Sequence, residues 1–363
     1  MKINFIDLQA QYHRYKKDID NEIFEVLESG RFIGGEKLAL FEHNLSVYTG
    51  AKHAIGCASG TDALMLSLMA LDIGEGDEVV TSPFSFIAAA EAISLLGAKP
   101  VFVDIDESSY NIDASKIESV ITDKTKAILP VSLFGQCCDM DTINEIAKKY
   151  ELSVIEDACQ SFGAVYKGKK SCNLSTIACT SFFPSKPLGA YGDGGAVFTN
   201  DDEIASKIRM LSNHGQSEKY THRYIGINSR LDALQATILG VKLRHFDDEV
   251  RLREEIGLRY NDLLEDTDII TPKIFENSTS VYAQYSIRVK DREEVIKRLN
   301  SRDIPTIIHY PKPIHLQEAF SYLAYSEGDF PISELVSKEI LSLPMSAYLS
   351  EAEQDFIVEA IKS

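Results

Sequence analysis

The sequence predicts an α/β fold in which a mostly parallel sheet is covered by helices on both faces and a smaller α+β domain follows. Three observations carry this. Short apolar runs such as "HAIGCAS", "PVFVDI" and "SVIEDA" alternate with stretches of helical periodicity, the pattern of strands buried on both faces. The alternation stops near Ser229, where a long helical stretch begins. The length, 363 residues, exceeds what a single hydrophobic core usually serves.

The elements follow in order. Residues 19–30 read as a helix, with Ile19, Ile23, Val26 and Leu27 at helical spacing. "RFIGGEKLALFEHNLSVYTG" gives a glycine turn and a second helix. "HAIGCAS" is a buried strand, "GTDALMLSLMAL" a helix, and "GEGDEVV" turns into the next strand. "FIAAAEAISLLG" is helix, "PVFVDI" and "TKAILPV" are strands, "MDTINEIAKKY" is helix, and "SVIEDA" is strand. "IACTSFF" and "GAVFT" add two more strands. From Ser229 to Leu264 the apolar positions fit one or two helices. The remainder reads as strand ("YAQYSIRV"), helix ("REEVIKRLNSRDI"), strand or loop ("PTIIHYP") and a terminal helix. This places the large domain at 1–245 and the small one at 246–363.

Charge and cysteines narrow the class. A net charge of −18 argues against nucleic acid and anionic membrane surfaces, which need a basic footprint. The six cysteines include no CxxC spacing, so no metal centre is expected and reduced thiols in a cytoplasmic protein fit best. The N-terminus carries no apolar run of signal-peptide length, and no stretch is long enough for a membrane span.

Three features carry chemistry. Asp157 closes the strand "SVIEDA", and ligand sites in such sheets lie beyond the carboxyl ends of strands. Gly60 and Thr61 sit where a strand gives way to a helix, whose free N–H groups suit phosphate. Lys186 lies in "SFFPSKPLGAYGDGG", where Pro184 and Pro187 exclude a helix interior and the glycines permit tight turns. Each alone has an ordinary explanation: a salt bridge, a helix cap, a surface lysine. Together they are the parts needed to hold pyridoxal phosphate, with the lysine on its aldehyde and the acid on its ring nitrogen. No G-x-G-x-x-G follows the first strand, which counts against a dinucleotide oxidoreductase.

At this point the chain resembles the DegT/DnrJ/EryC/StrS family of sugar aminotransferases. The likeness runs through "FIDL", "GRFIGGEKLALFE", "CASGTDAL", "VIEDACQSFGA", "SFFPSKPLGAYGDGGAVFTND", "NHGQ" and "IGINSRLDALQA". It implies a fold-type I pyridoxal-phosphate fold, like that of aspartate aminotransferase. It also implies Lys186 as Schiff-base lysine and proton shuttle, Asp157 on the ring nitrogen, Gln160 on the ring hydroxyl and Phe86 stacked on the ring. Gly60, Thr61 and Ser181 match phosphate contacts, and Asn228 matches one donated by a second subunit of a homodimer. His214 is characteristic of the family without an assigned role. Relatives that dehydrate rather than transaminate carry histidine at the lysine position, so Lys186 argues for transamination from L-glutamate to a nucleotide-linked oxo sugar.

The wording of "SLFGQC", "KGKKSCNLSTIACTSFFPSKPLG" and "SVYAQY" is most similar to the branch acting on UDP-2-acetamido-2-deoxy-3-oxo-D-glucuronate, which serves O-antigen sugars. A uronate brings a carboxylate, which suits arginine. Arg230 from the partner subunit, with His309 and Tyr310, is therefore expected at the sugar. A 4-oxo-6-deoxy or dTDP-linked 3-oxo-6-deoxy sugar stays open as the alternative, and so does a non-catalytic regulator that binds the cofactor.

Overall fold

The computed structural model describes residues 3–363. Helices α1 (Leu8–Ser29) and α2 (Glu36–Thr49) lead into β1 (His53–Cys57) and α3 (Gly60–Ala70). Next come β2 (Glu78–Thr81), α4 (Ala88–Leu95), β3 (Lys99–Phe102), α5 (Ala114–Ile117), β4 (Thr125–Ile128), α6 (Met140–Lys149) and β5 (Ser153–Asp157). A hairpin of β6 (Val165–Tyr166) and β7 (Lys169–Lys170) precedes β8 (Ile177–Ser181), β9 (Gly195–Thr199) and α7 (Asp202–Leu211). A second hairpin, β10 (Gln216–Glu218) and β11 (Thr221–His222), leads to α8 (Ala233–Leu243) and α9 (Phe246–Leu264). The chain closes with β12 (Tyr285–Arg288), α10 (Arg292–Asn300), α11 (Pro331–Glu339), β13 (Ile340–Leu343) and α12 (Glu351–Lys362).

The central sheet has seven strands in the order β1-β9-β8-β5-β4-β2-β3. Every pair is parallel except those made by β9, which runs against β1 and β8. Successive side chains of a strand face opposite ways, and the core divides accordingly. Val79 packs with Leu64, Leu66 and Ile93 on one face, and its neighbour Val80 packs with Ile128, Ile143 and Val154 on the other. The predicted α/β sheet, clad on both faces, is the observed one.

A second core gathers Tyr260, Tyr285, Ile287, Leu341, Leu343, Ile357 and Ile361 around the antiparallel β12–β13 pair. The C-terminal part is not confined to it. Ile314, Phe320 and Phe330 pack on Ala90 and Phe102 of the large sheet layer. Asp104, buried, accepts from Ile332 N at 3.0 Å and from Ser333 N at 2.9 Å, which caps α11 against the end of β3.

The structure extends the sequence reading and decides two points it left open. The first helix starts at Leu8, because Asp7 accepts from Ala10 N and supplies an N-cap that the polar first turns hide. The stretch from Ser229 to Leu264 is two helices. "PTIIHYP" lies outside any regular strand and joins β13 through a bridge from Ile307 to Ser342. α7, α11, β13 and the two hairpins were not visible in the sequence pattern.

Candidate active site

β1 and β8 both run against β9, so they point the same way as β5, β4 and β2. Their carboxyl ends therefore share one edge, and a cavity of about 550 Å³ opens there. Nine of the expected residues line it: Gly60, Thr61, Phe86, Asp157, Gln160, Ser181, Lys186, His309 and Tyr310. Asn228 and Arg230 do not. Asn228 bridges to Asn213, and the exposed Arg230 donates from Nη1 to Asn213 Oδ1 at 2.9 Å.

Asp157 ends β5 and is 5% exposed. Its Oδ1 accepts from Cys159 N at 3.0 Å. Burial pushes its carboxyl above the ordinary range, while the Cys159 N–H and the Lys186 ammonium oppose the shift. A buried carboxylate of this kind is costly unless a cation meets it.

The N-terminus of α3 meets the cavity at Ser59, Gly60 and Thr61. Ser59 caps the helix by accepting from Asp62 N at 3.1 Å. A Cβ on Gly60 would lie 2.6 Å from Ser181 Cβ, so only glycine lets the two segments approach this closely. The result is a narrow cradle with N–H groups at a positive helix end.

Lys186 sits in a closed loop. Its N–H donates to Phe183 O at 2.8 Å, and Ala190 N donates to Phe182 O at 2.7 Å. A Cβ on Gly189 would fall 2.3 Å from Pro184 O, so the loop folds back on its own proline. The segment is a turn, as the prolines require.

Opposite lie the aromatic and amide groups. Phe86 is 57% exposed, its ring 6.4 Å from that of Tyr310. Gln160 Nε2 donates to Tyr310 Oη at 3.2 Å, and its Oε1 accepts from Phe134 N at 3.0 Å. His309 Nδ1 contacts Ser342 Oγ at 2.9 Å. Burial, aided by the Lys186 charge, pushes the His309 imidazole down to about 4, so it is neutral near pH 7.

The cavity also holds groups the sequence reading missed, including Ser85, Ser185, Cys159, Asp193 and Gln284. Gln284 is the most informative, because its side-chain oxygen is buried without a hydrogen-bond partner among the described residues. It lies inside "SVYAQY", but nothing in a lone glutamine marks it as site-facing.

A ligand with a cationic nitrogen at one end, an aromatic ring between and a phosphate at the other satisfies the carboxylate, the exposed phenyl ring and the positive end of α3 at once. Pyridoxal phosphate has that form, and the Lys186 amine lines the same cavity. Fold and site together define a pyridoxal-phosphate-dependent aminotransferase.

Residues 13–362 match the DegT/DnrJ/EryC1/StrS aminotransferase family, and the chain belongs to it. It is 51% identical over 359 residues to the UDP-2-acetamido-2-deoxy-3-oxo-D-glucuronate aminotransferase of Pseudomonas aeruginosa, covering 99% of each chain. DesV of S. venezuelae superposes with a TM-score of 0.98 at 38% identity, covering 99% of this chain and 98% of that one. The Bacillus subtilis protein ntda, solved with bound cofactor PMP, gives a TM-score of 0.93 at 33% identity, over 99% of this chain and 84% of that one.

Proposed function

We propose that this aminotransferase moves the amino group of L-glutamate to carbon 3 of UDP-2-acetamido-2-deoxy-3-oxo-D-glucuronate, giving a 3-amino sugar for surface polysaccharide such as O-antigen. The observation that carries the sugar assignment is the 51% identity, over 99% of both chains, to the relative named for that substrate.

In this reading Lys186 is the one group that moves protons at the reacting carbon. Its closed loop aims the amine, so less freedom is lost on reaching the reactive geometry. Bound in the cavity, the cofactor supplies an electron sink and carries the amino group between the two half-reactions. Asp157 keeps the ring nitrogen protonated, because a buried carboxylate is most stable beside a cation. Phe86 covers one ring face, and Gln160 orients the ring hydroxyl. Gly60, Thr61 and Ser181 bind the phosphate at the head of α3.

We assign the sugar carboxylate to Arg230 of a second subunit, in a homodimer where Asn228 completes the phosphate site of its neighbour. What supports this is that both residues lie outside their own chain's cavity and that Arg230 is exposed. His309, held neutral, fits a hydrogen-bonding role at the sugar better than a charge-pairing one. Tyr310 stands beside it.

The test runs the sugar half-reaction backwards. The yellow holoenzyme receives the UDP-linked 3-amino uronate, a UDP-linked 4-amino-6-deoxy sugar or a dTDP-linked 3-amino-6-deoxy sugar. Loss of visible absorbance with the uronate alone is expected. Bleaching by another sugar instead keeps the enzyme class and removes the uronate. A protein that gains the visible band but bleaches with neither glutamate nor any amino sugar would revive a non-catalytic, cofactor-binding role.

A further inference from the structure

α8 is largely apolar, yet near its C-terminus it buries a lysine. Lys242 is 2% exposed. Its Nζ donates to the carbonyl of Gly189 at 2.6 Å and stands 4.1 Å from the centroid of the Tyr191 ring. One helical face carries a second contact of the same kind. Gln235 lies seven residues earlier, two turns back on the same side. Its Oε1 accepts from Tyr191 N at 2.8 Å.

Gly189 and Tyr191 are the residues that close the Lys186 loop. The loop is already tied to itself by Ala190 N on Phe182 O and by the close approach of Gly189 to Pro184 O. Those ties, with Phe182 N on Gly194 O at 2.8 Å, root the loop at the ends of β8 and β9, and its far side is held by α8. Gln235 and Lys242 grip the backbone on both sides of Ala190, and α8 is anchored in turn by its Asp232 cap, which accepts from Gln235 N at 2.9 Å.

We propose that Lys242 and Gln235 form a clamp on α8 that positions the loop of Lys186, and through it the catalytic amine, against the cavity. Both are positioning residues. The proposal rests on the reading of Lys186 as the catalytic group.

The chemistry favours a clamp over filler. Burying an ammonium is costly unless something compensates it. Burial pushes Lys242 down to about 8, and the charge of Glu249 opposes the shift. Around it stand Tyr191 from the loop and Glu249 of α9. Glu249 is itself held by Gln11 Nε2 of α1 at 2.8 Å and by Tyr348 Oη at 2.5 Å. A methionine of similar length would fill the same space without the desolvation cost, but it could not hold a carbonyl.

The experiment compares Lys242→Met, Lys242→Arg and Gln235→Leu with wild-type holoenzyme. Two readouts are followed: the pH titration of the cofactor's visible band and hydrogen exchange at the Lys186 and Ala190 amides. Lys242→Met is expected to shift the band's titration midpoint, speed exchange at both amides and slow the glutamate half-reaction by about 10- to 100-fold. Lys242→Arg keeps a donor and should recover part of each effect. Gln235→Leu, at a half-buried site, should move the same readouts in the same direction if Lys242→Met fails to fold. Wild-type titration and exchange in Lys242→Met, or in Gln235→Leu should the former be unfolded, would overturn the clamp. Lys186→Ala serves as control: if it keeps a lysine-linked band, the reading of Lys186 fails, whatever the clamp variants do.

Discussion

Gln160 and Tyr310 are joined by a hydrogen bond of 3.2 Å that ties the C-terminal chain to the loop after Asp157. Gln160 is buried and also accepts from Phe134 N at 3.0 Å, so one amide braces two walls of the cavity. Gln160→Leu leaves the buried Phe134 N–H unpaired and should cost about 1–3 kcal/mol. Tyr310→Phe removes one neutral bond and should cost about 0.5–1.5 kcal/mol. Thermal unfolding of the two variants decides it. A Tyr310→Phe protein as destabilised as Gln160→Leu would mean that the Phe134 bond carries nothing.

Stability should depend on pH through Glu156. It neighbours Asp157 in β5 but is absent from the cavity wall, as alternation in a strand requires. Burial raises its carboxyl from 4.5 to about 8; the Cys172 N–H opposes the shift, and the nearby Asp157 charge adds to it. Between those values the folded chain holds a proton that the unfolded chain releases. Stability from this group is therefore complete below about pH 4.5 and is lost as pH rises toward 8, by at most about 1.4 kcal/mol for each unit crossed. Glu156→Gln should flatten that decline, since an amide oxygen can still accept from Cys172 N. Melting curves at pH 5 and pH 8 test this, and an unchanged slope in the variant would falsify it.

Gly60→Ala should spoil cofactor retention more than fold. The added Cβ would sit 2.6 Å from Ser181 Cβ and 3.1 Å from Cys159 Sγ, and the first of these is not a side-chain tip that can swing away. α3 must then shift from β8 at the point where the phosphate is expected. Overpacking of this kind costs about 1–3 kcal/mol. The expected outcome is a folded protein that loses its visible band on dialysis. A variant that holds cofactor as tightly as wild type would place the phosphate elsewhere.

Much of the candidate site was legible because its residues sit at strand ends. Asp157, Ser181 and the Ser59–Gly60 junction each close a short apolar run, and a parallel sheet brings such ends to one edge. Lys186 was legible from its prolines. Other features were hidden for physical reasons. "PISELVSKEILSLP" passes from α11 to β13 at Glu339–Ile340 with no glycine or proline between them, so its periodicity fits neither element cleanly. Gln284 reaches the cavity, and Lys242 its carbonyl, only through the packing of segments distant in sequence. Lys242 alone reads as an ordinary helix-end cation, and only the fold puts its ammonium beneath Gly189.

The shared-site reading makes a quantitative prediction. Lys186 lines the cavity of its own chain, whereas the exposed Arg230 lies outside it, with Nη1 on Asn213 Oδ1. Lys186→Ala should be inactive, and Arg230→Ala should lose affinity for the sugar while keeping the glutamate half-reaction. If the site is built from two chains, a heterodimer of the two variants contains one site with both defects and one with neither. Equal mixing and random exchange make half of the dimers mixed, so activity at low sugar should return to about a quarter of wild type. Sites confined to one chain would give no recovery above the sum of the separate variants. Co-expression with two different affinity tags isolates the mixed dimer. Its single intact site should then show the wild-type KM for the sugar at about half the wild-type kcat per dimer.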